Sequence, residues 1–136
     1  MARQIFVNIA VKDLNKAIAF YTHLGFTFNQ QFTDENATCM IVSENIMVML
    51  LREEFFARFT PKPIANAKQN TEVLICISAE SREEVDEFVR LAIAAGGKTL
   101  VPKQDYPWMY GHGFEDLDGH MWEISYMDMN AMPTKD

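Results

Sequence analysis

Residues 5 to 25 read IFVNIAVKDLNKAIAFYTHLG, and this stretch contains the signals that set the fold. Its first seven residues are mostly apolar, which predicts a strand that ends at the polar Lys12-Asp13. Asp13 can cap a helix, because its carboxylate accepts a free amide from the first turn. Apolar residues then recur every three or four positions, which predicts a helix with one buried stripe. Gly25 supplies the left-handed turn that ends it.

The same order of elements occurs twice. Three strand candidates follow the first helix, each a short apolar run bounded by polar residues, over 27–32, 37–42 and 46–51. The second half repeats the pattern, with strand candidates over 72–78, 98–102, 112–115 and 121–127. A capping box that begins at Ser81 opens the second helix, and Asp118-Gly119 marks the turn of the last hairpin. Such a repeat restricts the fold more than any single motif does.

Length and composition indicate one globular domain. The chain has 136 residues, of which 49% are hydrophobic and 23% charged. The repeat divides it into a first module over about 4–51, an apolar connection over 52–70, a second module over about 71–128 and a tail over 129–136. The connection is too apolar for a free linker, and we interpret it as a packed segment that forms a lid or a dimer contact.

Charge excludes some classes of partner. The net charge is −7, and Lys and Arg form no cluster. A polyanion would be repelled, so we expect no nucleic-acid partner and no binding to anionic membranes. The apolar run at the N-terminus is too short for a signal peptide or a membrane span. Cys39 and Cys76 lie in apolar stretches and are interpreted as core residues of a reduced compartment, so we expect a cytoplasmic protein.

Two signatures resemble the vicinal oxygen chelate superfamily, which includes glyoxalases, bleomycin resistance proteins and extradiol dioxygenases. The first is the segment from Phe6 to Leu14, followed by Ala19-Phe20-Tyr21 and Leu24-Gly25-Phe26. The second is the segment from Phe114 to Ile124, with Leu117 where the family usually has Pro. The resemblance implies an α+β fold in which two βαβββ modules form a cupped mixed sheet around a small-molecule cavity, with helices outside. It also implies a homodimer.

In metal-using members of this superfamily, the ligands come from the first and last strands of each module. Carried over by the resemblance, these positions fall on Phe6, Met49, Glu72 and Glu123. Phe6 cannot bind a divalent ion, and the thioether of Met49 suits soft metals. The resemblance therefore leaves Glu72 and Glu123 as ligands for a divalent metal such as Ni, Zn, Mn, Co or Fe, with the alternative that no metal is bound.

His112, between two glycines one strand from Glu123, has a side chain suited to act as a third ligand or a general base. The alternative is a surface histidine at a strand end. His120 follows the Asp-Gly turn and is interpreted as a solvated turn residue. We take Glu123 and His112 as the candidate catalytic residues.

Strand alternation predicts which side chains line the cavity, since one face recurs every second residue. The residues predicted to contact a ligand are Phe6, Asn8, Met49, Trp108 and Met121. Trp108 belongs to an apolar stretch that either rims the cavity or packs in the core. Two functions follow: a metal-assisted lyase or isomerase similar to lactoylglutathione lyase, with dioxygenase chemistry less favoured, or a metal-free protein that sequesters a ligand as bleomycin resistance proteins do.

Overall fold

The structure is a computed structural model that describes residues 2–133. The chain forms two compact units, one that ends at Asn66 and one that begins at Ala67. The boundary falls inside the predicted connection, and each unit contains one of the two predicted modules. We refer to the units as module 1 and module 2. None of the helices within residues 2–133 is long and apolar enough to cross a membrane.

Module 1 is a four-stranded mixed sheet with a helix after its first strand. Its elements are β1 (Ile5–Val11), α1 (Leu14–His23), β2 (Thr27–Asn29), β3 (Ala37–Ser43), β4 (Ile46–Arg52) and α2 (Glu53–Phe56). Short 3₁₀ helices follow β2 and α2, over Gln30–Phe32 and Ala57–Phe59. The strand order is β1-β4-β3-β2, in which only β1 and β4 are parallel.

Module 2 repeats this arrangement. Its elements are β5 (Leu74–Ser78), α3 (Arg82–Ala94), β6 (Gln104–Tyr106), β7 (Met109–Glu115), β8 (Met121–Met127) and a 3₁₀ helix (Met129–Ala131). The strand order is β5-β8-β7-β6, with β5 and β8 parallel. The predicted α+β fold with two repeated modules is confirmed. It consists of two separate four-stranded sheets, and neither closes into a barrel. Part of the predicted tail, 134–136, lies outside the described residues.

The predicted signals of the first helix are confirmed. Asp13 caps α1, and its carboxylate accepts a hydrogen bond from the Lys16 amide at 3.1 Å. Gly25 follows the helix with a φ of 101°, a backbone conformation that residues other than glycine rarely adopt. Of the predicted stripe, Leu14, Ala17, Tyr21 and Leu24 are buried and Ile18 is half-buried, while Phe20 is buried as well although it was not predicted.

The second helix begins as predicted, with one change in its capping box. The Ser81 hydroxyl accepts from the Glu84 amide at 3.1 Å. The Glu84 carboxylate accepts from the amide of Glu80 at 2.8 Å, one residue before the cap. Val85 and Val89 are buried on the face of α3 that packs against β7 and β8. α3 is therefore fixed against one face of the second sheet.

The strand predicted over 98–102 is wrong. Lys98 makes only an isolated bridge to Glu115, and the edge strand β6 begins at Gln104. Pro102 lacks the N–H group that a strand interior needs, so the ladder cannot continue through it. Residues 99–103 instead form a segment without regular structure. This difference matters, because the segment lies beside the candidate site.

Candidate ligand-binding site

The side chains of module 2 alternate between two faces of its sheet. Trp122 and Ile124 are fully buried on the side that α3 covers, with Phe114 stacked 6.3 Å from Trp122. Glu123, which lies between Trp122 and Ile124 in the strand, is exposed on the opposite side. We call that opposite side the open face of module 2. The predicted alternation in this strand is confirmed.

Glu123 lies in the middle of the open face. It is paired with Cys76 on the parallel strand β5 and with Gly113 on the antiparallel strand β7. Paired residues share a face of the sheet, so the carboxylate has a thiol on one side and no side chain on the other. None of the ion pairs among residues 2–133 includes Glu123.

A cleft of about 140 Å³ lies beside Glu123 on this face. The cleft extends over Gly111 and Gly113, because neither residue carries a side chain that would fill it. Its wall is the irregular segment before β6, which contributes Leu100, Val101 and Pro102. Leu100 and Val101 are 58% and 55% exposed. The remaining side chains on the rim are mostly apolar or uncharged, namely Gln104, Met109, Met121 and Ser125. The cleft therefore joins apolar surface to one carboxylate.

Cys76 is exposed, which corrects its interpretation as a core residue; Cys39 is buried as predicted. Although the residue is exposed, partial desolvation of its sulfur by neighbouring atoms raises the pKa of Cys76 above the usual 9.0, and the negative charge of Glu123 raises that pKa further. The thiol is therefore neutral near pH 7. Glu123 carries the negative charge of this part of the sheet.

The structure does not bring His112 together with Glu123. His112 pairs with Ile124, so both lie on the face that α3 covers, whereas Glu123 points to the open face. His112 lines the same cleft as Gly111 and Gly113, but its side chain belongs to the opposite face of the strand. A residue in a strand cannot share a face with its neighbour in sequence, so His112 cannot complete a ligand shell or a proton relay at Glu123 in this register.

Glu72 is also placed differently from the prediction. It precedes β5, which begins at Leu74, and its Oε1 lies 2.8 Å from Nδ1 of His120. His120 is only 5% exposed, so its interpretation as a solvated turn residue is wrong. The His120 amide donates to the Asp116 carboxylate at 2.9 Å. Glu72 and His120 thus join the start of β5 to the last hairpin turn.

The internal repeat identifies which residue of β5 corresponds to Phe6. Asn8 pairs with Met49, just as Cys76 pairs with Glu123, and the helix caps Asp13 and Ser81 follow Asn8 and Cys76 at the same spacing. The residue two positions before Cys76 is Leu74. The equivalent of Phe6 is therefore Leu74 and not Glu72. Glu72 was expected at this position because β5 was predicted to begin at residue 72, whereas the strand begins at Leu74.

These residues do not fit a divalent metal. The four positions that the family uses become Phe6, Met49, Leu74 and Glu123, of which Glu123 alone offers an oxygen ligand. Phe6 and Leu74 are large, exposed apolar side chains. Across residues 2–133, no three His, Cys, Asp or Glu side chains lie close enough together to hold a metal ion. With one oxygen ligand among the four positions, these residues could not hold a divalent ion that a substrate chelates.

The ligand-binding residues predicted in module 1 share one face of its sheet. Asn8 pairs with Met49, and Phe6 lies two residues before Asn8 on the same side. Phe6 and Asn8 are exposed and Met49 is half-buried. The Asn8 amide donates to the Phe6 carbonyl at 3.3 Å.

Of the other predicted ligand contacts, Met121 lines the cleft and Trp108 does not. Trp108 is half-buried just before β7, where it stacks on Tyr106 with ring centroids 5.7 Å apart. Its carbonyl accepts from the Asp128 amide at 2.8 Å. Trp108 thus fixes the loop between β6 and β7. The wall of the cleft that Leu100, Val101 and Pro102 form was not predicted from the sequence, because the strand expected over 98–102 includes them. Pro102 could have argued against that strand, since it lacks the N–H group that a strand interior needs.

Comparison with known proteins supports the family resemblance. The model of the Glyoxalase/Bleomycin resistance protein/Dioxygenase superfamily matches residues 3–124. A hypothetical protein from S. aureus is 28% identical with a TM-score of 0.78, over 93% of this chain and 95% of its own. No curated protein matches.

Two further structures share the fold at lower identity. A lactoylglutathione lyase from Agrobacterium tumefaciens is 18% identical with a TM-score of 0.68, covering 93% of this chain and 94% of its own. A genomically encoded fosfomycin resistance protein from Listeria monocytogenes is 18% identical with a TM-score of 0.67, covering 96% and 98%. With the family model spanning most of the chain and the repeated βαβββ modules in place, the chain belongs to the Glyoxalase/Bleomycin resistance protein/Dioxygenase superfamily.

Proposed function

We propose that this protein binds a small organic molecule without a metal ion and holds it in the open-face cleft of module 2. The observation that carries the proposal is the position of Glu123, an exposed carboxylate beside a cleft whose other open-face side chains are apolar or uncharged. Ligand sites commonly combine apolar walls with a few polar groups that fix orientation. The cleft has this composition.

The charge of Glu123 favours a ligand with a cationic or hydrogen-bond-donating group. The apolar part of such a ligand would contact Leu100, Val101 and Met121, while its charged group would lie against the carboxylate. Because the cleft is open to solvent, we discount the Coulomb attraction to about 1 kcal/mol, which corresponds to a preference for a cation of roughly fivefold. The size of the cleft, about 140 Å³, suits a ligand of one or two fused rings.

A metal-assisted lyase is the second candidate, and one observation favours it. The family resemblance assigns Glu123 to the ligand position of the final strand, and a lactoylglutathione lyase is among the proteins of similar fold. Against it stand Phe6, Met49 and Leu74 at the other three positions. The fosfomycin resistance protein is equally similar in fold, so fold likeness alone does not choose between the two functions.

The test uses a pair of ligands that differ in charge. N-methylquinolinium is a flat aromatic cation, and 1-methylnaphthalene is its neutral counterpart of nearly the same shape. We expect the wild-type protein to bind the cation more tightly by calorimetry or fluorescence. Glu123→Gln should weaken binding of the cation about fivefold and leave the neutral compound almost unaffected.

Glu115→Gln is the matched control, since Glu115 lies on the same face of β7 and outside the cleft. It should leave both affinities unchanged. If the wild type binds neither compound, the proposal fails. Titration with Ni, Zn, Mn, Co and Fe(II) tests the second candidate: tight binding of any of them that Glu123→Gln abolishes would replace the metal-free proposal with the lyase. Homodimerisation stays a prediction of the resemblance, and light scattering tests it.

A further inference from the structure

The wall of the cleft is attached to the sheet at two ends. At one end, Lys98 exchanges two backbone hydrogen bonds with Glu115, at 3.1 and 2.7 Å. At the other end, Gln104 pairs with Gly111 as β6 begins. Residues 99–103 between these points belong to no helix or strand. A segment with exposed apolar side chains and no regular structure opens at low free-energy cost.

The Lys103 side chain connects this segment to the face of the sheet that α3 covers. It stands between Pro102 and Gln104, which both line the cleft. Its own ammonium group donates to the hydroxyl of Tyr110 at 3.1 Å. Tyr110 is 5% exposed on the face that α3 covers. The backbone of the wall thus contributes to the cleft while the Lys103 side chain is held behind it.

Tyr110 passes this contact on to α3. Its hydroxyl donates to the Asp86 carboxylate at 2.6 Å, and Lys103 Nζ lies 4.0 Å from the same carboxylate. Arg82, one turn earlier on α3, lies over the Tyr110 ring at 5.1 Å. Arg82 also donates to the Asp105 carboxylate at 2.6 Å and to the Tyr106 carbonyl at 2.9 Å. The helix therefore holds both the wall and the edge strand that follows it.

We propose that Lys103, Tyr110 and Asp86 form a latch that positions residues 99–103 as the wall of the cleft and sets how fast a ligand leaves it. The three residues act as positioning residues, because none of their charged or hydroxyl groups faces the cleft. The effect on ligand release rests on the proposed function, whereas the restraint on the wall does not. The latch combines a buried hydroxyl with a partly exposed ion pair, so its contribution is moderate and the wall remains able to open.

The test uses two variants that each remove one part of the latch. Lys103→Met removes the ammonium group and keeps the length of the side chain, and Tyr110→Phe removes the hydroxyl and keeps the ring. We expect hydrogen exchange of the amides of Leu100 and Val101 to accelerate about three- to tenfold in both variants. Amides of β8 should exchange as in the wild type, which separates a freed wall from a general loss of stability.

Lys98→Met is the matched control, since the bridge from Lys98 to Glu115 uses backbone atoms only. It should leave exchange in the wall unchanged. Equal exchange rates in the wild type and both latch variants would overturn the latch.

The second readout is the dissociation rate of N-methylquinolinium by stopped flow, which should rise in Lys103→Met and Tyr110→Phe by a factor similar to the rise in exchange. A faster-exchanging wall with an unchanged dissociation rate would overturn the control of ligand release. If the wild type does not bind the cation at all, the proposed function fails while the exchange experiment still decides the latch.

Discussion

Cys76 and Glu123 lie opposite each other on the parallel strands β5 and β8, and both side chains belong to the open face of module 2. This pairing places a titratable thiol beside the carboxylate that we propose as the polar contact of the ligand. Burial and then the charge of Glu123 raise the pKa of Cys76 above 9.0. The reactivity of this thiol therefore reports on the charge in the site.

Glu123→Gln should make Cys76 more reactive. Removing the carboxylate charge lowers the pKa of Cys76 toward 9.0, so more thiolate is present at pH 8. Since the pair is partly exposed, we expect alkylation by iodoacetamide to accelerate about twofold. Mass spectrometry of the Cys76 peptide measures the rate. Glu115→Gln is the control and should leave the rate unchanged. Slower alkylation in Glu123→Gln would contradict the pairing.

Tyr110 should ionise at a higher pH than a free tyrosine does. The hydrogen bond to Asp86 and burial raise the pKa of Tyr110 above 10.0, although its hydrogen bond from Lys103 opposes this. Because the folded state holds the phenol proton more tightly, the stability that this group contributes is present below pH 10 and is lost as the pH rises through the folded pKa.

Ultraviolet absorbance of tyrosinate measures this titration. Tyr110→Phe should remove a transition above pH 10, and Asp86→Asn should move that transition down, because a neutral amide no longer disfavours the phenolate. Arg90→Gln on the same helix is the control, since Arg90 pairs with Glu87. A titration curve that Tyr110→Phe changes only near pH 10 would show that Tyr110 ionises as a free tyrosine.

Local signals in the sequence were sufficient to predict the modules. Asp13 and Ser81 cap their helices as predicted, and Glu123 alternates with the buried Trp122 and Ile124. These features depend on neighbours a few residues away, so periodicity and capping chemistry reveal them. The strand order β1-β4-β3-β2, repeated as β5-β8-β7-β6, was not predicted and comes from the structure.

The contents of the site depend on register, which the sequence did not fix. A strand that begins at Leu74 rather than Glu72 changes the family position from a carboxylate to an apolar side chain. The pairing of His112 with Ile124 places His112 on the covered face. The first outcome is a shift of two residues, which keeps the face and changes only the residue that stands at the position. The second follows from the two-residue period of strands, because a partner one residue along would have put His112 on the other face.

Breaking the contact between Glu72 and His120 should destabilise the protein. Glu72→Gln replaces a charged acceptor by a neutral one against a histidine that is almost fully buried. We expect the free energy of unfolding to fall by about 1 kcal/mol, measured by urea denaturation. Glu54→Gln is the matched control, because its ion pair with Arg52 is largely exposed and should be worth less than about 0.5 kcal/mol. Equal losses in the two variants would mean that the His120 contact adds no stability.

Two glycines with nearly the same φ can be compared to separate the cost of left-handed strain from the cost of steric crowding. Gly25 and Gly119 have φ values of 101° and 95°. A Cβ on Gly25 would meet nothing within 4 Å, whereas a Cβ on Gly119 would lie 2.6 Å from the backbone nitrogen of Lys68. Gly25→Ala should therefore cost about 1–2 kcal/mol of stability through its left-handed conformation alone.

Gly119→Ala should cost the same conformational strain plus about 1–3 kcal/mol for pushing backbone against backbone. Urea denaturation of the two variants measures the difference. A larger loss for Gly119→Ala means that the turn of the last hairpin is packed against residues 67–68, next to the contact between Glu72 and His120. Equal losses would mean that this packing is loose and that the start of β5 is held mainly by the Glu72 contact.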